Sequence, residues 1–150
     1  VATAALDKFS TLAFSVTVPT SAMGDAGLTM PRPEFVPGWR TTSKKNSDGS
    51  VTIKWRAISD DFALPNGPEG DTGATMFFDF GVRVAFAAAT MGQRVSFPAQ
   101  QTCLVDIPKA KGFKAGRLPI FETWDGTPDG ADTVLDNNSR GPAPTVTVNP

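Results

Sequence analysis

Apolar and polar residues alternate through several stretches of this chain. Leu12, Phe14, Val16 and Val18 share one parity, with Ala13, Ser15 and Thr17 on the other. Val51, Ile53 and Trp55 repeat the pattern. The longest run carries Met76, Phe78, Phe80, Val82, Val84 and Phe86, and its intervening residues include Asp79, Gly81 and Arg83. A period of two sends successive side chains to opposite faces, so each stretch predicts a half-buried strand. Val95 and Phe97 start a further strand that Leu104 to Ile107 extends, and Thr145 to Val148 predicts a last one.

Turn formers separate these runs. Asn46-Ser47-Asp48-Gly49 predicts a hairpin loop ahead of Val51. Pro65-Asn66-Gly67-Pro68-Glu69-Gly70 predicts a longer loop, and Asp125-Gly126-Thr127-Pro128-Asp129-Gly130 repeats that punctuation. With 14 Gly and 13 Pro no long helix is expected, and Ala87-Ala88-Ala89 is too short to hold one alone. Short strands divided by turns predict an all-β chain, an antiparallel β-sandwich. The 150 residues suit one domain, 1–150, with a sizeable core.

Charge narrows the partners. The 14 basic and 15 acidic residues leave a net charge of −1, and Lys44-Lys45 is the densest basic cluster along the chain. Phosphate neutralisation has little to work with, so no nucleic-acid binding is expected. No apolar run approaches the roughly 18 residues of a membrane span. The chain opens at Val1 without methionine, which fits either removal of a signal peptide or trimming of an initiator methionine. Asn137-Asn138-Ser139 is a glycosylation sequon, relevant to a eukaryotic secreted protein.

Missing residue types narrow the chemistry. There is no histidine, no tyrosine and one cysteine. Ser-His and Cys-His nucleophiles are thereby excluded, as are histidine zinc sites and thiolate clusters. The expectation is a non-enzyme without catalytic residues or a required cofactor. Cys103, in Phe97-Pro98-Ala99-Gln100-Gln101-Thr102-Cys103, reads first as a packed small hydrophobe. An intermolecular disulfide and a thiol activated by Lys109 or Lys111 are the lesser alternatives. Asp125, Asp129, Asp132 and Asp136 offer oxygen ligands for calcium, but their spacing matches no EF-hand and a solvated loop is the better reading. Asp60-Asp61 reads as adjacent strand residues facing opposite ways, not as a catalytic pair. Trp55 falls on the core parity. Trp39, after a Pro-Gly turn, and Trp124, between Thr123 and Asp125, are candidate ligand or interface residues.

A set of spaced motifs carries a resemblance. Val36-Pro37-Gly38-Trp39 precedes Ile53-Lys54-Trp55 and Leu64-Pro65. Phe78-Asp79-Phe80, Phe97-Pro98, Gln101-Thr102-Cys103, Trp124 and Pro142-Ala143-Pro144 follow in that order. The series resembles the YcnI-like family, secreted or membrane-anchored bacterial domains associated with copper. The resemblance implies an immunoglobulin-like β-sandwich, exported to the cell envelope or beyond. It also implies a copper(II) site built from an N-terminal histidine, a glutamate just after an early "VP" strand and a nearby tryptophan. Here position 1 is Val1, the residues after Val18-Pro19 are Thr20-Ser21, and only Trp124 matches. The fold is therefore expected to carry over and the copper ligands are not.

Two functional expectations follow. One is a non-catalytic extracellular or cell-envelope domain of YcnI-like kind whose metal site is lost. The other is a structural subunit of a filament, coat or surface assembly, whose partners are copies of itself. In the second, the apolar stretch Val1, Ala2, Thr3, Ala4, Ala5 and Leu6 would add a strand to a neighbouring subunit.

Overall fold

The computed structural model describes residues 9–66, 78–107, 116–126, 133–135 and 138–149. Twelve strands cross this part of the chain, β1 (Phe9–Val18), β2 (Arg32–Pro33), β3 (Trp39–Lys45), β4 (Val51–Ala57), β5 (Leu64–Asn66) and β6 (Val82–Arg83) forming the first half. The second half holds β7 (Arg94–Ser96), β8 (Ala99–Ile107), β9 (Gly116–Gly126), β10 (Thr133–Leu135), β11 (Asn138–Pro142) and β12 (Thr145–Thr147). One large sheet runs in the order β10-β11-β9-β8-β1-β4-β3, with β5 also paired to β1. All of its pairings are antiparallel except β9 with β11. Two small sheets, β2-β6 and β12-β7, supply the second layer.

The core lies between these layers. Val18, Val51, Ile53 and Trp55 are fully buried, and Trp39 and Ala57 nearly so. Leu12, Phe14 and Val16 join them from β1. The facing layer contributes Val36, Phe80, Val82, Val84, Phe86, Val95, Phe97 and Val148. Burial of a side chain such as Ile53 stabilises by about 1.5–3 kcal/mol. Trp55 also ties the layers together: its indole Nε1 donates to the Glu34 carbonyl at 3.1 Å, which satisfies the one polar group it buries.

The β3–β4 hairpin forms where the turn residues place it. Asn46 N donates to Ser50 O at 2.8 Å, and Gly49 N to Asn46 O at 3.1 Å. Gly49 takes φ +86°, a left-handed conformation that glycine adopts without a Cβ penalty. Asp48 Oδ1 accepts from Ser50 N at 3.0 Å and from Ser50 Oγ at 2.6 Å. These bonds favour the charged carboxylate and hold the Asp48 pKa below its ordinary value, the hydroxyl contributing most.

Four expectations need correction. The long alternating run is not one continuous strand: among its described residues only Val82–Arg83 forms a ladder, and Ala85 makes an isolated bridge to Met23. The flanking residues are extended and bond irregularly, through Glu34 N to Gly81 O, Gly24 N to Ala85 O and Ala87 N to Ser21 O. Alternation thus reported which side chains meet the core, not which amides join a sheet. Next, Phe97-Pro98 divides the predicted Val95 strand into β7 and β8, which belong to different sheets. Proline lacks the N–H that a ladder needs at that point. Then Asp60 and Asp61 sit in a 3-10 turn, Asp60–Phe62, rather than on a strand. Last, Pro65-Asn66 and Asp125, expected in loops, lie on β5 and β9. Met76, Gly67 to Gly70, Lys109, Lys111, Asp129, Asp132, Asp136 and Asn137 lie outside the described residues.

Candidate functional site

The alternation that builds the core builds a second surface on its reverse. In β3 and β4, Trp39, Val51, Ile53, Trp55 and Ala57 turn inward, while Arg40, Thr42, Lys44, Lys54 and Arg56 are exposed. Register places Arg40 opposite Arg56, Thr42 opposite Lys54 and Lys44 opposite Thr52. Continued across β1, β8 and β9, the pairing gives transverse rows on the outer face. One row reads Arg40, Arg56, Ala13, Thr102, Phe121. The next reads Thr42, Lys54, Ser15, Gln100, Thr123, and the third reads Lys44, Thr52, Thr17.

Four cations therefore share one face within two neighbouring strands. β1, β3 and β4 contain no Asp or Glu. Among the described residues Arg40, Lys44, Lys54 and Arg56 make no ion pair or side-chain hydrogen bond. A cleft of about 260 Å³, lined by Arg40, Arg56, Ala57 and Ile58, opens at the end of this strip. Uncharged polar groups line the middle of the face around buried Ala13, and Phe121 and Asp125, both exposed, stand beyond them on β9. Thr17 Oγ1 and Thr52 Oγ1 lie 3.2 Å apart, Asn46 Nδ2 donates to Thr52 Oγ1 at 2.9 Å, and Gln100 Nε2 donates to Thr123 Oγ1 at 3.3 Å. Reading along the chain identified only Lys44-Lys45 as a basic cluster. The signal lay in parity: Arg40 and Lys44 share one face of β3, and Lys54 and Arg56 share the matching face of β4.

The tryptophans separate. Trp39 is buried at 6% exposure, with its ring 6.4 Å from Phe78 and edge-on to Phe80 at 5.1 Å. It supports the surface from beneath and offers no face of its own to a ligand. Around it, Phe78, Phe62 and Ile58 are exposed, Phe62 lies over Gly38 and Ile58 N donates to Gly38 O at 3.0 Å. Trp124 is half-buried on β9, paired with Ala99, which in turn pairs with Val16. Two strand spacings, about 10 Å, separate Trp124 from the end of β1.

Near that end Thr20 and Ser21 line an open cleft of about 530 Å³, together with Lys45, Ala87 and Thr90. Hydroxyls beside a lysine are a poor donor set for copper(II), which favours nitrogen and carboxylate ligands. The residues present do not fit the ion. Among the described residues, no three His, Cys, Asp or Glu side chains gather. Val1, Ala2, Thr3, Ala4, Ala5 and Leu6 lie outside the described residues; β1, into which they lead, has partners on both sides.

Cys103 occupies β8 at 5% exposure. Its sulfur lies 3.8 Å from Thr11 Oγ1, which accepts from Gln101 Nε2 at 2.5 Å. The thiol is packed inside a polar contact, away from solvent. No helix among the described residues is long and apolar enough to cross a membrane.

No protein-family model matches this chain, and no curated protein matches it. Among solved structures it is similar to one from Nocardia farcinica, an uncharacterized protein whose crystal structure reveals an immunoglobulin-like fold. The two share 23% identity at a TM-score of 0.55, over 98% of this chain and 83% of the other. Likeness at that identity speaks to fold alone, and the fold it gives this chain is the immunoglobulin-like β-sandwich.

Proposed function

We propose that this chain is a non-catalytic binding domain of the cell envelope or exterior. In this reading it is YcnI-like in architecture, has lost the copper site, and makes contact through the outer face of its large sheet. The observation that carries the reading is the strip of Arg40, Lys44, Lys54 and Arg56 on one face, without a carboxylate on the strands beneath. Solvated charges are common, and lysines on an edge strand such as β3 discourage sheet-to-sheet association. That bland role accounts for Lys44 and Lys45. It leaves Arg40 facing Arg56 unexplained, because like charges directly opposite weaken a sheet.

Retention of the protein on envelopes isolated from its source organism tests the reading. Replacing all four cations by glutamine should abolish retention while leaving the circular dichroism spectrum intact; undiminished retention would overturn it. Titration with copper(II) should give no saturable uptake. Stoichiometric uptake lost in Trp124→Ala would instead return the metal to the protein.

A second reading, a structural subunit that associates with its own copies, is favoured by the apolar tip at Ile58, Phe62 and Phe78. Exposed apolar groups gathered at one end mark contact surfaces. Light scattering at high concentration decides it: a uniform assembly supports the subunit, and a strict monomer removes it.

A further inference from the structure

The outer face carries more than charge. Its first row begins at Arg40 and Arg56 on β3 and β4, passes Ala13 and Thr102, and ends at Phe121 on β9, which is 38% exposed. The second row, Thr42, Lys54, Ser15, Gln100 and Thr123, is hydroxyl, amide and ammonium throughout. Each row spans four strand spacings, about 19 Å, and the four cations cover about 14 Å along the strands. The face is thus a platform with cations at one side, hydrogen-bonding groups around buried Ala13 in the middle, and the partly exposed Phe121 ring with the exposed Asp125 carboxylate at the far side.

We infer that this platform binds an acidic polysaccharide, one bearing carboxylate or sulfate groups; the inference rests on the proposed binding-domain reading and names its ligand class. The guanidinium groups of Arg40 and Arg56 can each present paired N–H donors to a carboxylate or sulfate. An anion between them would also relieve the repulsion of that cross-strand pair. Ser15, Thr42, Gln100 and Thr123 match the neutral hydroxyls of a sugar chain. Phe121 offers a ring against which the C–H face of a sugar can lie. A single-stranded nucleic acid asks for something else: a row of several aromatic rings for successive bases. Among the described residues this face presents one.

Calorimetric titration with three probes tests the inference: a short heparin-derived oligosaccharide, an oligogalacturonate of similar length and neutral cellohexaose. At low salt the wild-type protein should bind at least one acidic probe and ignore cellohexaose, and the affinity should fall as salt is added. Arg40→Gln/Arg56→Gln should weaken binding about tenfold or more and flatten the salt dependence. Phe121→Ala should weaken binding and leave the salt dependence unchanged, which a purely electrostatic surface would not do. Lys54→Gln is a second test on a single exposed side chain, and thermal melting of each variant confirms that it is folded. Failure of both acidic probes to bind, equal affinity for cellohexaose, or tighter binding of a single-stranded oligonucleotide or of anionic lipid vesicles would each overturn the inference. Should envelope retention still require the four cations while the acidic glycans fail, the ligand class falls and the binding domain stands. Should retention ignore those cations, the binding domain itself falls.

Discussion

The two faces of β3 and β4 are made by the same fourteen residues of chain and obey opposite rules. On the inner face every described contact is spoken for. Trp55 touches Phe14 and Phe80 with ring centroids 6.2 and 5.3 Å apart, and Phe14 stacks on Phe80 at 5.0 Å. On the outer face, Arg40 meets Arg56 and neither has an ion-pair partner among the described residues. Interiors are close-packed, so each inner side chain is constrained by all its neighbours. Outer side chains are free of that constraint, and a costly arrangement there points to something outside the fold. The inner face explains why the sandwich forms; the outer face is where its use has to be sought.

The largest test of this contrast is Trp55→Ala. It would empty the centre of the aromatic cluster and leave the Glu34 carbonyl without its donor. Loss of about 3–5 kcal/mol is expected, the usual cost of removing a buried Trp or Phe. Urea unfolding measures it. A loss below 1 kcal/mol by the same scale would mean that the inner face is far looser than its burial implies.

Two glycines sharpen the boundary between packed and open regions. Gly38 and Gly92 both have positive φ, +79° and +77°. A Cβ on Gly38 would meet the Phe62 ring, whereas one on Gly92 would meet nothing within 4 Å. Alanine at Gly92 should cost about 1 kcal/mol from backbone strain alone. Alanine at Gly38 should cost a further 1–3 kcal/mol or so from overpacking, and Phe62→Ala in the same chain should remove that excess. Equal effects at both glycines would show that the tip yields freely.

Much of this was legible along the chain, for physical reasons that particular residues show. Val51, Ile53 and Trp55 announced a half-buried strand because strand geometry and burial share a period of two. Asn46 to Gly49 announced a hairpin because Gly49 supplies the positive φ. The run from Phe80 to Phe86 announced contact with the core correctly and a continuous strand wrongly, while Phe78 at its start is exposed; parity reports faces and says nothing of where the amides bond. β9 and β11 stayed hidden: Pro119 inside one and Gly141-Pro142 at the end of the other are residue types that argue against a strand. The outer face was hidden for another reason. Arg40 and Arg56 are sixteen positions apart, and only the β3–β4 register brings them together.

The turn that sets this register gives a pH-dependent test. Ser50 holds the Asp48 carboxyl below its ordinary value of 3.8. A depressed carboxyl stabilises the fold above its unfolded value and loses that contribution as pH falls through the lowered folded value. Asp48→Asn keeps the side chain's shape and removes the titration. Its melting temperature should lie below wild type near neutrality, and the gap should close below about pH 4. A gap that stayed constant from pH 6 to 2 or so would detach Asp48 from the acid limb of stability. The group is fully exposed, so the effect should be small beside those at Trp55 and Gly38.

The smallest expected effect has the opposite sign. Arg40→Thr removes one member of the like-charged cross-strand pair and puts a good strand former in its place. It should stabilise the protein by about 0.2–1 kcal/mol at low ionic strength, and the gain should shrink as salt screens the pair. The same substitution should weaken whatever the outer face binds. Stability and binding would then move in opposite directions at one residue, which a purely structural role for Arg40 would not produce. Destabilisation by Arg40→Thr, persisting at high salt, would place Arg40 among the residues that hold the sheet together and erase the contrast between the two faces at that position.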